Sequence, residues 1–215
     1  MWAAFATSFF FALSGVCAQR MSKLLGGVRA NFFRILLAAS VLAISAHVFG
    51  QGWGGGAFGW FFVSGIAGFG LGDVALYQAL PRIGSRLSVM LVHCLAAPFA
   101  AFVEWLWLGT PLTTLEILFA LLALVGVALA LAPGKHLEIS RRTLWIGVIA
   151  GVVAGLGQGL GVVLTRKAYA VVTAGGLSVT PLTATYQRIL GGLLIAVASY
   201  LVVAARRPKM SALPR

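Results

Sequence analysis

Residues 58–109, FGWFFVSGIAGFGLGDVALYQALPRIGSRLSVMLVHCLAAPFAAFVEWLWLG, form two apolar spans joined by the basic link Pro81–Arg86. Each span is long enough to cross the roughly 30 Å hydrocarbon core of a bilayer as a helix. The first carries an acid, Asp73, directly behind the glycine-rich run GIAGFGLG; the second carries His93, Pro98 and Glu104. A carboxylate at the centre of a membrane helix costs roughly 2.5–3.5 kcal/mol on insertion scales. Asp73 is therefore the first candidate for a functional role.

The composition extends this pattern to the whole chain. Of 215 residues, 60% are hydrophobic and 9% charged, against roughly 25% charged in soluble domains. The formal net charge is +12, but the basic residues sit in short links between apolar runs, as the positive-inside effect requires. A nucleic-acid surface would gather them on one element, so no nucleic-acid partner is expected; the surrounding partner is lipid. Cys17 and Cys94 both lie in apolar sequence, build no disulfide or metal pattern, and are expected to pack as small apolar groups. No cofactor and no metal is implied. The N-terminus lacks the basic region of a cleavable signal, so residues 2–18 are expected to remain as a first membrane helix.

Seven stretches qualify as spans: about 2–18, 31–49, 58–80, 87–108, 114–132, 144–164 and 183–204. Backbone groups in lipid must be paired internally, and long continuous apolarity fits helices rather than the alternating strands of a barrel. The expected fold is an all-α, polytopic helical bundle. Basic residues favour the odd-numbered links (Arg20, Lys23, Arg29; Arg82, Arg86; Lys135, Arg141, Arg142), with Arg166 and Lys167 dissenting. On charge alone the N-terminus is outside.

A repeat is visible. GVCAQR (15–20) matches GVVLTR (161–166), and NFFRIL (31–36) matches TYQRIL (185–190). The second copy thus begins at span six, and a unit of five spans inverts its orientation in the membrane. Inverted repeats are a transporter feature, with the substrate site near the midplane between halves. The expected division is 1–134, a first five-helix repeat; 135–143, a basic link; and 144–215, a partial second repeat of two helices and a basic tail.

The order of these signals resembles the first domain of EamA-type proteins of the drug/metabolite transporter superfamily. The similarity lies in a small-residue third helix ending in ALPRIGSRLS, a proline-bearing fourth helix, a glycine turn, and a fifth helix ending in GVALAL. TYQRIL resembles the arginine-bearing start of the family's second and seventh helices. The resemblance implies a multi-pass protein of the plasma (cell inner) membrane that moves small solutes. Two departures stand out: Thr110 replaces the usual glutamate after the turn, and the family usually has ten helices where seven are found. The expectation is a truncated reading frame. The family commonly has both termini cytoplasmic, contrary to the charge count, so orientation stays open.

Candidate solute- or proton-binding residues follow from cost and placement. Asp73 and His93 lie at similar distances from the Pro81–Arg86 link, so an antiparallel helix pair would bring them to one depth and within hydrogen-bonding reach. The plainer alternatives are a neutral Asp73 at a helix break and a packed His93. Arg34 and Arg188 occupy equivalent repeat positions. Each either snorkels to the interface or presents a guanidinium to a carboxylate. Tyr77 and Gln78 are expected to share a cavity with Arg34, and Gln158 and Tyr186 to be their counterparts in the second copy. Glu104, beside Trp105 and Trp107, is expected at the interface. The glycines read as packing residues: Gly147, Gly151, Gly155 and Gly159 at four-residue spacing in span six, and Gly68 and Gly72 with Ser64 in span three. Such faces let helix backbones approach closely in lipid, and spans three and six are expected to pack together.

The leading function is a secondary transporter or exporter of small organic solutes or metabolites, driven by a proton or solute gradient, with Asp73 as the candidate proton-titrating or cation-coordinating group in its path. The alternative is a non-transporting fragment or partner subunit that completes a bundle with another chain, in a homodimer or a mixed assembly. An intramembrane enzyme would need a nucleophile or metal motif such as G-x-S-G or H-E-x-x-H, and neither occurs. A retinal-type receptor would need a lysine in the seventh span, which has none.

Overall fold

The computed structural model describes residues 2–131 and 140–206. Their regular elements are helical: α1 (Trp2–Leu25), α2 (Gly27–Phe49), α3 (Phe58–Gly65), a π-helical turn (Ile66–Gly72), α4 (Asp73–Leu108), α5 (Thr114–Leu131), α6 (Arg141–Ala174) and α7 (Pro181–Ala205). Among the described residues, four helical runs are long and apolar enough to cross a membrane: Gly27–Phe49, Phe58–Trp107, Arg141–Ala174 and Pro181–Ala205. A shorter apolar helix covers Thr114–Leu129. Large apolar side chains such as Leu37, Ile44, Phe102, Leu122, Trp145 and Leu201 stand on the outside. A helix apolar on all sides is at home in lipid. The protein is a multi-pass membrane protein.

The run from Phe58 to Leu108 contains both spans read from the sequence, separated at Gly84, whose backbone leaves the helix at φ 80°, ψ 166°. That region is open almost only to glycine. Packing against α6 shows that the chain reverses there. Along α6, Gly147, Gly151, Gly155 and Gly159 meet Ile83, Leu91, Leu95 and Phe99 in rising order. Gly157, Gly161 and Thr165 instead meet Gly72, Gly68 and Ser64 in falling order. The two limbs are therefore antiparallel, and α6 lies between them. A side chain at position 84 meets only Gln19 Nε2, 3.6 Å away, so the cost of replacing this glycine is conformational. Gly84→Ala is expected to destabilise the protein by about 1–3 kcal/mol, read as a lowered melting temperature in detergent. Gly59→Ala, at an unobstructed helical position, should not. Equal melting of the two variants would contradict the reversal at Gly84.

The helix starts are set by local chemistry. Ser140 accepts from the Thr143 N–H, Thr180 accepts from the Thr183 N–H ahead of Pro181, and Thr113 and Glu116 bond reciprocally in a capping box. Glu116 thus caps α5.

Three expectations need correction. The Gly147–Gly159 stripe faces the limb after Gly84 (span four), not span three; span three meets α6 through Gly157 and Gly161, on another face. Helix α6 runs on to Ala174, so Arg166 and Lys167 belong to a helix rather than a link. Arg166 pairs with Glu104 at 2.5 Å, near the exposed Trp105 and Trp107. Cys17 is exposed on α1 rather than packed; Cys94 is half-buried. Of the basic link expected at 135–143, residues 135–139 lie outside the described residues, as do residues 207–215 of the tail; Ser140 caps α6 and residues 141–143 belong to it.

Candidate intramembrane site

The site is assembled where span three is most tightly held. A methyl group on Gly191 would overlap the Phe62 carbonyl oxygen, and one on Gly192 would lie 2.5 Å from Phe69 Cβ. On the opposite side, one on Gly157 would lie 2.7 Å from Gly72 Cα. Between α6 and α7 the glycine-rich run adopts π geometry, and Asp73 N–H bonds to Gly68 O five residues back. Turns of this kind are rare and often mark functional positions. Asp73 follows immediately.

Its carboxylate is only 4% exposed and is held from two other helices. Arg34 of α2 donates to Oδ2 and forms an ion pair with it. Gln158 of α6 donates through Nε2 to Oδ1 at 3.0 Å, and reaches Gly68 O at 3.4 Å. One turn on from Asp73, the ring of Tyr77 lies under the Arg34 guanidinium, 5.3 Å from Cζ to centroid. Asn31, one turn before Arg34, is fully buried and offers Oδ1 to Arg34 at 3.4 Å. Both Asn31 Nδ2 and Arg34 Nε are buried without a partner among the described residues.

These groups border a cavity of about 210 Å³. Its wall includes Arg34, Asp73, Tyr77, His93 and Gln158, completed by aromatic surface from Phe11 of α1 and Phe69 of the π turn. Water occupies about 30 Å³ per molecule in the liquid, so the space corresponds to about seven waters or one small solute. Among the described residues no three His, Cys, Asp or Glu side chains converge as metal ligands.

The structure sorts the candidates. Arg34, Asp73, Tyr77, His93 and Gln158 come together, whereas Asp73 and His93 are not hydrogen-bonded as expected. His93 is exposed and meets Phe11 edge-on at 4.8 Å. The partner of Asp73 is Arg34, with Gln158. Gln78 is not in the cavity; it accepts from Arg82 Nη1 at 2.8 Å. Successive helical residues are about 100° apart, so Tyr77 and Gln78 point different ways. Tyr186 is also elsewhere: it is buried against His47 and Trp53, with ring centroids 5.3 and 5.6 Å away. There it packs beside the loop that Gln187 fastens through Gly52 O and Gly54 O. Arg188 lies over the Phe69 ring at 4.8 Å. Its Nη2 and Gln158 Oε1 come within 3.6 and 3.7 Å of the point that a Gly68 side chain would occupy. Asn31 and Phe69 were missed. Asn31 had a visible signal, a buried-type amide three residues before Arg34 in NFFR.

A sequence model of the EamA-like transporter family matches residues 1–132, which include every site residue on α1, α2 and α4. Comparison with curated proteins and with solved structures returned no match.

Proposed function

The chain belongs to the EamA-like transporter family, and on that premise we propose that it carries small organic solutes through the Arg34–Asp73 cavity. Membership implies a transporter of small solutes rather than an enzyme. The observation that carries the finer reading is the ion pair of buried Asp73 with half-buried Arg34, capped by Gln158, facing a solute-sized space among apolar helices. Ionised groups in a bilayer interior are costly and usually serve a pathway or proton relay.

The pair also supplies a means of coupling. With Asp73 ionised, Arg34 is held across α2 and α4. A proton on Asp73 would remove the attraction and release the guanidinium toward the cavity. The contact surfaces of the π turn with α6 and α7 are built from glycines, across which helices can shift with little side-chain interlock. Solute export driven by a proton gradient across the plasma (cell inner) membrane fits this arrangement, with residues 1–134 and 144–215 as one inverted repeat and its partial copy.

The direct test is uptake by proteoliposomes of purified protein, with an imposed proton gradient, over a panel of small neutral, anionic and cationic solutes. The expected result is gradient-dependent flux of at least one solute class, with Gln158→Leu lowering it about tenfold, the scale of one lost charge-assisted hydrogen bond. Flux absent for the whole panel from well-folded protein would sink the reading. Flux indifferent to the gradient would remove the coupling alone.

A further inference from the structure

We propose that the solute is a small monocarboxylate, and that the cavity selects it because Arg188 leaves the site with one more positive charge than negative. This rests on the transport reading above and names its substrate class.

Three ionised groups converge on the π turn. Arg34 and Asp73 pair with one another. Arg188, from α7, brings a second guanidinium to the Asp73–Gln158 side, over Phe69 and beside Gly68. Among the described residues it donates no hydrogen bond, and its Nε is buried without a partner. Glu104, the other acid in the neighbouring spans, is occupied with Arg166, and Glu116 caps α5. Asp73 is thus left to balance two cations. A guanidinium has five N–H donors and never loses its proton in a protein, so the imbalance cannot be relieved by titrating Arg188. One aromatic face does not replace its hydrogen bonds. A bound monoanion brings the group to neutrality.

The cavity fixes the rest of the ligand. Arg34 lines it and has donors to spare, its Nε being unpartnered. Arg188 stands behind Phe69, which forms part of the wall. Phe11, Phe69 and Tyr77 make much of the remaining surface aromatic. A carboxylate on a compact apolar body of about seven waters' volume meets both requirements. A dianion would overcompensate, and a cation would add to the uncompensated positive charge.

Benzoate is a suitable probe, with benzamide as its neutral isostere and benzamidine as its cationic one. Radiolabelled benzoate would be bound at equilibrium to the full chain in detergent, with the other two as competitors. Benzoate is expected to bind, and benzamide and benzamidine to compete about tenfold or more less well, since each forfeits a charge-assisted contact. Arg188→Gln should weaken benzoate by a similar factor at an unchanged melting temperature, and Arg188→Lys should retain part of the affinity. Benzamide or benzamidine competing as well as benzoate, no benzoate binding to folded protein, or full affinity in Arg188→Gln would each overturn the proposal. The comparison of probes on the unmodified protein decides the matter even where a variant does not fold. Proteoliposomes that carry neutral solutes while the protein ignores benzoate would leave the transporter standing and remove only the anion.

Discussion

Alanine at Gly65 is expected to be the most damaging single methyl group in the protein. It would overlap the Arg188 carbonyl oxygen and lie 2.9 Å from Arg188 Cα. All of the obstructing atoms are backbone, so no side chain can swing aside, and α3 and α7 must separate. Overpacking costs typically 1–3 kcal/mol, occasionally more; a backbone-to-backbone overlap belongs at or beyond about 3 kcal/mol. The same displacement shifts Arg188 itself. Gly65→Ala should therefore melt well below wild type in detergent and lose solute binding at temperatures where it is still folded. Gly126→Ala, where nothing lies within 4 Å, is the matched control. A Gly65→Ala protein as stable as that control would show that α3 and α7 do not meet here.

The second large effect is at Asp73. Asparagine keeps the shape and can still accept from Gln158, but it strands the Arg34 cation. Breaking a fully buried pair by removing one partner costs about 3–5 kcal/mol, because the survivor's charge is left uncompensated; the Arg34 side chain is 39% exposed, so Asp73→Asn falls below that range and Arg34→Gln, which strands the buried carboxylate, comes nearer to it. Removing both charges costs much less. Both Asp73→Asn and Arg34→Gln should be destabilised, the second more than the first, and the double variant should regain most of the stability. Transport should not follow. If the pair is part of the pathway, flux in the double variant stays at least about tenfold down, the loss of one charge-assisted hydrogen bond at the transition. A double variant with wild-type flux would make the pair a structural clamp only.

Much of this was legible beforehand, for a simple reason: in lipid, length and continuous apolarity decide which segments are helical. An acid amid glycines announces its own expense, and the small-residue spacing of α6 announces close packing. What the sequence hid was azimuth. Arg34 and Asp73 are 39 residues apart, and whether they face one another depends on how two helices are rotated, which apolar stretches without an amphipathic stripe do not encode. His93 was matched to Asp73 by depth alone, and depth says nothing about the direction of a side chain. Gln78 is one residue from Tyr77, and Tyr186 two from Arg188, and neither spacing keeps side chains on one helix face. The π turn could not have been read, because it depends on α6 and α7 pressing on the glycines from both sides.

That turn makes residue number, and not only residue identity, a functional quantity. Each residue added to or removed from a helix rotates everything beyond it by about 100°. Wound as an ordinary α-helix, the seven residues Ile66–Gly72 would turn further about the axis, and Asp73 would be carried off its bearing toward a neighbouring helix or the lipid. The wide turn thus works as a spacer that sets the angle of the acid. Its interconversion with a tighter one would let a membrane helix swivel a charge into or out of register without exposing a broken backbone to hydrocarbon.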